Sequence, residues 1–201
     1  GGFRSPLLAV RAVVDESGQP LKAPELEVGE AVSPEAVYTL GRMMVEVMER
    51  GTGRAAKRNL PAGLVVAGKS GTSNDYRDSW FAGFSGGHLV VAWVGHDDNS
   101  PTGLTGTTGG LAIWSRLMGS IVTSSFEPML PESLEHRWVD YFSGRETSPY
   151  CDGSAVSLPF KVGTLLEPNP ECPPSIGEPP ADDGLFGTDE TDAAPAEAGF
   201  P

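Results

Sequence analysis

Three apolar runs separated by short breaks constrain this chain most: residues 64–67, 80–84 and 89–94. Each has the length of a strand, and the breaks are too short to hold crossover helices, so antiparallel pairing is the natural arrangement. Gly86-Gly87 separates the last two runs and predicts a two-residue hairpin loop of the primed type. Helical periodicity brackets this meander. Ser33-Pro34-Glu35 reads as a helix start, with Ser as N-cap, proline at the first helical position and an acid in the first turn. Val37, Leu40, Met44, Val47 and Met48 follow at helical spacing, and Gly51 after Arg50 closes the helix. The methionines read as flexible core filler rather than as a metal-binding stripe. A second helix is predicted over 111–122, with Leu111, Trp114, Leu117, Met118 and Ile121 on one face. Nearer the start, the apolar run 7–14, the turn sequence Asp15-Glu16-Ser17-Gly18 and Leu21 read as a hairpin. The fold class is therefore α/β of the α+β type, an antiparallel sheet flanked by helices.

Charge and composition narrow the function. The chain carries 14 basic and 27 acidic residues, a net charge of −13, which leaves no electrostatic footprint for coating nucleic acid. The longest apolar run, Leu89–Val94, is six residues, far short of a membrane span of about 20. No signal-peptide pattern stands at the start. The chain opens at Gly1 without a methionine, which suggests a piece of something longer. From Pro174 onward seven acidic residues (Glu178, Asp182, Asp183, Asp189, Glu190, Asp192, Glu197) meet no Lys or Arg. That Pro-, Gly- and Ala-rich stretch cannot bury enough apolar surface to offset chain entropy, so 174–201 reads as a disordered, solvating acidic tail.

Three readings compete for the segment around Lys69. Residues 63–70 satisfy the phosphate-loop pattern G-x-x-x-x-G-K-[ST] letter for letter. The context refuses it: no strand precedes Gly63, no helical pattern follows Ser70, and the interior is itself strand-like. The second reading is the polar end of a strand with no further role. The third is an active-site strand, and here the chain resembles a family, the serine-acylating penicillin-binding proteins, in particular the bifunctional class A enzymes. The resemblance rests on blocks in the family's order and spacing. They are Arg50-Gly51-Thr52-Gly53-Arg54, then Ala67-Gly68-Lys69-Ser70-Gly71-Thr72-Ser73-Asn74, then Asp78-Ser79-Trp80-Phe81-Ala82-Gly83-Phe84. Trp93-Val94-Gly95, Asp97-Asp98-Asn99 and Thr105-Gly106 continue it.

The resemblance implies the C-terminal part of a penicillin-binding, β-lactamase-like transpeptidase fold over 1–136. It implies roles residue by residue. Thr72 would offer its backbone N–H to the oxyanion of an acyl transfer. Lys69 would set a positive charge beside the substrate's carboxylate and the proton relay, and the Ser70 and Thr72 hydroxyls would bind that carboxylate. Gly71, sharing a face with Lys69, would leave room for a peptide backbone. Ser73 is a weaker candidate for substrate contact. The family's nucleophile motif S-x-x-K is missing, because Gln19, Arg54, Val66 and Leu158 stand three before the four lysines. Its [SY]-x-N motif is missing too, with Lys57, Thr72, Asp97 and Glu167 two before the asparagines. The resemblance thus implies a cell-wall D,D-transpeptidase fragment at the periplasmic face of the bacterial inner membrane, inactive by itself. Stem peptides of peptidoglycan would be its substrates and β-lactams its inhibitors. The upstream part of the same polypeptide would supply nucleophile, glycosyltransferase and membrane anchor. No cofactor is implied. A D,D-carboxypeptidase or β-lactamase relative and a non-catalytic peptide-binding module are the alternatives.

Other residues read as structural. His96-Asp97-Asp98 holds three metal-ligand types, but neighbours at a strand end diverge and no second cluster completes a shell, so no metal site is expected. Trp80 and Phe81 read as packing, and the loop from Thr105 to Gly110 as a groove edge or hinge. Cys151 and Cys172 are the two cysteines. The oxidising compartment implied by the resemblance favours a disulfide pinning a small strand-containing module over 137–173.

Overall fold

The computed structural model describes residues 2–7, 10, 12–22, 27–121, 123–151 and 153–174. The acidic tail from Ser175 onward, and Leu8, Ala9 and Arg11 of the first predicted hairpin, lie outside the described residues. Four short strands open the chain. β1 (Phe3–Arg4) pairs antiparallel with β4 (Gly29–Glu30), and β2 (Val13–Val14) with β3 (Pro20–Lys22). The second pair is the hairpin read from the sequence. Asp15 Oδ1 closes its turn by accepting the Ser17 and Gln19 N–H groups, both at 2.9 Å, and the Ser17 hydroxyl at 2.7 Å.

Helix α1 (Pro34–Glu49) begins where the sequence predicts, with Ser33 Oγ accepting the Ala36 N–H at 3.4 Å. Its buried face is one position off the predicted stripe. Tyr38, Gly41, Arg42, Val45 and Met48 are buried, while Leu40 is exposed. The cause is a second partner for the helix. Tyr38 Oη meets His136 Nε2 at 2.8 Å, and an Arg42 guanidinium nitrogen donates to the Ser157 carbonyl at 3.4 Å, so polar side chains take the place of an apolar stripe. Met48 is core filler as read.

The central sheet is three antiparallel strands in the order β5 (Ala67–Thr72), β6 (Ser79–Phe84), β7 (Leu89–Val94). β5 starts three residues later than the apolar run and extends through Lys-Ser-Gly-Thr. Val65 is diverted: its N–H donates to Ser125 Oγ at 3.1 Å, and its carbonyl accepts the Phe126 N–H at 2.9 Å. The β6–β7 connection also departs from expectation. Gly86 and Gly87 are not among the glycines with positive φ, so the turn is not of the primed type. A four-residue loop, 85–88, is closed by the Ser85 N–H and the His88 carbonyl at 2.9 Å. Gly86 is needed there for close approach instead, because a Cβ would collide with the Ser125 carbonyl oxygen.

Helix α2 (Gly110–Ser120) covers one face of the sheet with Leu111, Trp114, Ser115 and Met118. Leu117, placed on that face by periodicity, is exposed; Ser115 faces inward and accepts from Asn59 Nδ2 at 2.9 Å. Phe81 and Trp114, both fully buried, pack with ring planes tilted by 55° and centroids 5.0 Å apart. The paired glycines Gly68 and Gly83 make room for them: a Cβ would come 2.6 Å from Phe81 Cζ at the first and 2.7 Å from Trp114 Cζ2 at the second. Trp114 Nε1 also donates to the Gly83 carbonyl at 3.2 Å.

β8 (Leu134–Asp140), which begins ahead of the expected module boundary at 137, pairs antiparallel with β9 (Ala155–Lys161) in a two-stranded module. Cys151 and Cys172 are disulfide-bonded, with Cα atoms 6.2 Å apart. Closing a loop of 21 residues is worth ~3 kcal/mol in the chain-entropy model. Besides the Tyr38–His136 contact, Ser133 Oγ donates to Glu35 Oε1 at 2.8 Å, so the module is tied to both the first turn and the middle of α1. Asp140 is held at a pKa of about 2 by the Ser154 and Ser143 hydroxyls and the Ser143 N–H.

Two outcomes follow. Trp114→Ala should cost about 3–5 kcal/mol of stability by urea denaturation, since the ring is fully buried and its glycine seat cannot collapse to fill the hole. Asp140 has a depressed folded pKa, so its contribution is present above the ordinary carboxylate value and is lost as pH falls through the folded one. Thermal melts between pH ~4 and ~2 should show that loss, and Asp140→Asn should flatten it.

Candidate functional site

The Lys69-Ser70-Gly71-Thr72 segment is the body of β5, at the edge of the sheet. Strand alternation splits its side chains between two faces. Ala67, Lys69 and Gly71 share a face with Trp80, Ala82 and Phe84 of β6 and with Leu89, Val91 and Trp93 of β7. Helix α1 covers this face at the Ala67 and Phe84 end, where Val45 packs. The remainder is open, with Trp80 44% and Trp93 46% exposed and their rings 5.9 Å apart. Phe81 is core, as read from the sequence; Trp80 is not packed away but stands on the open face beside Gly71. Lys69 is exposed, and its ammonium donates to the Ser70 carbonyl at 2.9 Å.

Ser70 and Thr72 point to the other face, and two loops meet them there. Thr72 Oγ1 accepts the Gly106 N–H at 2.8 Å. Gly106 is packed hard onto the strand: a Cβ there would lie 2.7 Å from the Gly71 oxygen, 2.8 Å from Ser70 Cβ and 2.8 Å from the Trp80 oxygen. Buried Ser79 holds the same loop from below, its hydroxyl donating to the Thr105 carbonyl at 2.6 Å and accepting the Gly110 N–H at 2.8 Å. The loop from Thr105 to Gly110 is thus a strut against the strand. From the opposite direction, Thr52 brings its Oγ1 to 3.2 Å from Ser70 Oγ. The sequence marked Thr52 only as part of the Arg50–Arg54 block and gave it no task.

The turn after β5 is strained and braced. Asp75 and Tyr76 both lie in the left-handed region, at φ 58° and 55°, costly for a bulky aromatic residue. Ser73 Oγ accepts the Asp78 N–H at 2.7 Å, and the Tyr76 carbonyl accepts both the Thr102 N–H and its hydroxyl at 2.8 Å. Ser73, a weaker candidate for ligand contact, therefore closes this turn. Beyond β7, Asp98 caps its own loop by accepting from Ser100, and those hydrogen bonds lower its pKa. Among the described residues, no three side chains of His, Cys, Asp or Glu gather to hold a metal ion.

What β5 offers chemically is an extended, accessible backbone edge, a solvent-facing ammonium on one face and a row of hydroxyls on the other. That edge can add an extended peptide as a further strand, and its outward N–H groups can donate to an oxyanion.

The comparisons agree with this layout. Residues 1–112 match the penicillin binding protein transpeptidase domain. Penicillin-binding protein 1B of Escherichia coli is 36% identical over 159 residues, covering 79% of this chain and 18% of that protein. Penicillin-binding protein 1A of Pseudomonas aeruginosa is 32% identical over 155 residues, covering 74% and 17%. The crystal structure of penicillin-binding protein 1A from Haemophilus influenzae superposes with a TM-score of 0.67 at 19% identity, covering 84% of this chain and 30% of that one, a likeness of fold. This is an α+β transpeptidase fold, and the chain belongs to the penicillin-binding protein transpeptidase family. It spans less than a fifth of the length of these two relatives.

Because the atoms around Gly106 are backbone or a strand Cβ, Gly106→Ala must displace the loop or β5 itself. The expected cost is about 1–3 kcal/mol in chemical denaturation, with faster amide exchange at residues 70–72.

Proposed function

We propose that this chain supplies the substrate-binding strand of a peptidoglycan D,D-transpeptidase of class A type. The observation that carries the reading is the exposed edge strand Lys69–Thr72, in a region that matches the transpeptidase domain. The acyl-donor stem peptide would lie along β5 in extended form. Its reacting carbonyl would face the outward N–H of Thr72, and its terminal carboxylate would lie near the Lys69 ammonium and the strand's hydroxyls. A β-lactam would occupy the same place. In acyl transfer the nucleophile's oxygen bonds to the carbonyl carbon, the oxyanion forms, and its collapse expels the leaving amine, which must gain a proton.

The nucleophile and its base would come from the upstream part of the same polypeptide, since neither S-x-x-K nor [SY]-x-N occurs in these 201 residues. The open face around Trp80, Val91 and Trp93 suits a surface on which that part packs. The same family reading puts the anchor that holds the enzyme at the periplasmic face in that upstream part; among the described residues no helix is long and apolar enough to cross a membrane.

A fluorescent penicillin tests this directly. Residues 1–201 alone should take up no covalent label, whereas the full polypeptide should be labelled. Lys69→Ala should slow that labelling at least 100-fold, on the scale of a lost electrostatic contact in an acyl-transfer site. An adduct on the isolated chain, or none on the full polypeptide, would overturn the reading.

A further inference from the structure

The two hydroxyls on the inner side of β5 are held differently. Thr72 Oγ1 accepts the Gly106 N–H at 2.8 Å, a bond that ties it to the strut and does not use its own proton. Ser70 Oγ instead meets a hydroxyl from another part of the chain, Thr52 Oγ1, at 3.2 Å. The segment that carries Thr52 is well anchored. The Arg50 and Gly51 N–H groups both donate to the Glu46 carbonyl, at 2.9 and 3.2 Å, and the Gly53 N–H donates to the Val47 carbonyl at 2.9 Å. The backbone on either side of Thr52 is thus pinned to the end of α1, while the residue itself stays exposed.

Two hydroxyls in contact use only one of their two protons on each other. Each O–H can turn outward, and serine, with no branch at Cβ, turns more freely than threonine. A carboxylate has two oxygens that each accept, and hydrogen bonds to a charged acceptor are about twice as strong as those between neutral groups. An arriving carboxylate would therefore displace the mutual hydroxyl contact and accept from both side chains.

We propose that Thr52 is a substrate-binding residue: its hydroxyl and that of Ser70 form a two-donor seat for the terminal carboxylate of the acyl-donor peptide, or for the carboxylate of a β-lactam. The inference rests on the transpeptidase reading above. It adds the Thr52 hydroxyl to those of Ser70 and Thr72 expected from the sequence.

The test uses the full polypeptide and two probes, a penicillin with a free carboxylate and its methyl ester, with acylation rate constants measured for each. Thr52→Val keeps the shape and removes the donor. It should slow acylation by the free acid about tenfold and leave the rate with the ester within twofold, since the ester cannot accept as an anion. Thr52→Ser should recover most of the loss. Combining Thr52→Val with Ser70→Ala should cost less than the product of the single effects, as expected of two groups serving one ligand. Equal slowing with acid and ester would mean a structural role, and no slowing with either would mean no contact; each overturns the inference. Absence of acylation in the unmutated polypeptide would instead overturn the transpeptidase reading, and this inference with it.

Discussion

The seating of Phe81 against Trp114 in a cradle of glycines is the contact on which the rest depends. Gly68 and Gly83 face each other across β5 and β6, and neither has room for a side chain beneath the rings. Helix α2 can therefore approach the sheet closely, and Gly110, at its start, packs against the backbone of Trp80 and Phe81. That approach brings the preceding loop down onto the strand, where Gly106 and Ser79 lock it. The rigidity of the edge strand is thus inherited from an aromatic pair on one side of the sheet, while its open face remains accessible on the other.

Polar side chains do the complementary work on the far side of α1. Tyr38, His136 and Ser157 form a buried chain of hydrogen bonds, with 2.8 Å between neighbours, that joins the helix to the β8–β9 pair. An apolar seam would hold through many registers, whereas hydrogen bonds of this kind hold through one. The disulfide and the ion pairs of Arg137 with Glu135 and Glu146 stiffen the module locally, and the hydrogen-bonded chain sets its position on the helix.

The sequence revealed the elements better than their faces. Ser33-Pro34 locates the start of α1 because a cap is a local device, yet periodicity places the buried stripe one position off. Tyr38 and Arg42 are buried by partners 98 and 115 positions away in the chain, which no periodicity can report. Leu117 failed similarly, since inward-facing Ser115 has its partner in Asn59. Gly86-Gly87 looked like a turn requiring positive φ and proved to be a point of close approach to Ser125. At the site, Lys69 to Thr72 could be read from their motif and from strand alternation. The Thr52 hydroxyl beside Ser70 could not, because the two residues are 18 positions apart with a helical turn at Arg54–Arg58 between them.

β7 forms the other rim of the central sheet. Its six residues carry no charge, and among the described residues no strand pairs with its outer side. Leu89, Val91 and Trp93 add an exposed apolar flank to that rim. A bare, regular rim of this sort templates whatever extended segment comes near, and nothing between His88 and Gly95 acts as a gatekeeper. Handled by itself at high concentration, the chain is accordingly prone to stack rim to rim into ribbons, a hazard of colloidal behaviour rather than of folding.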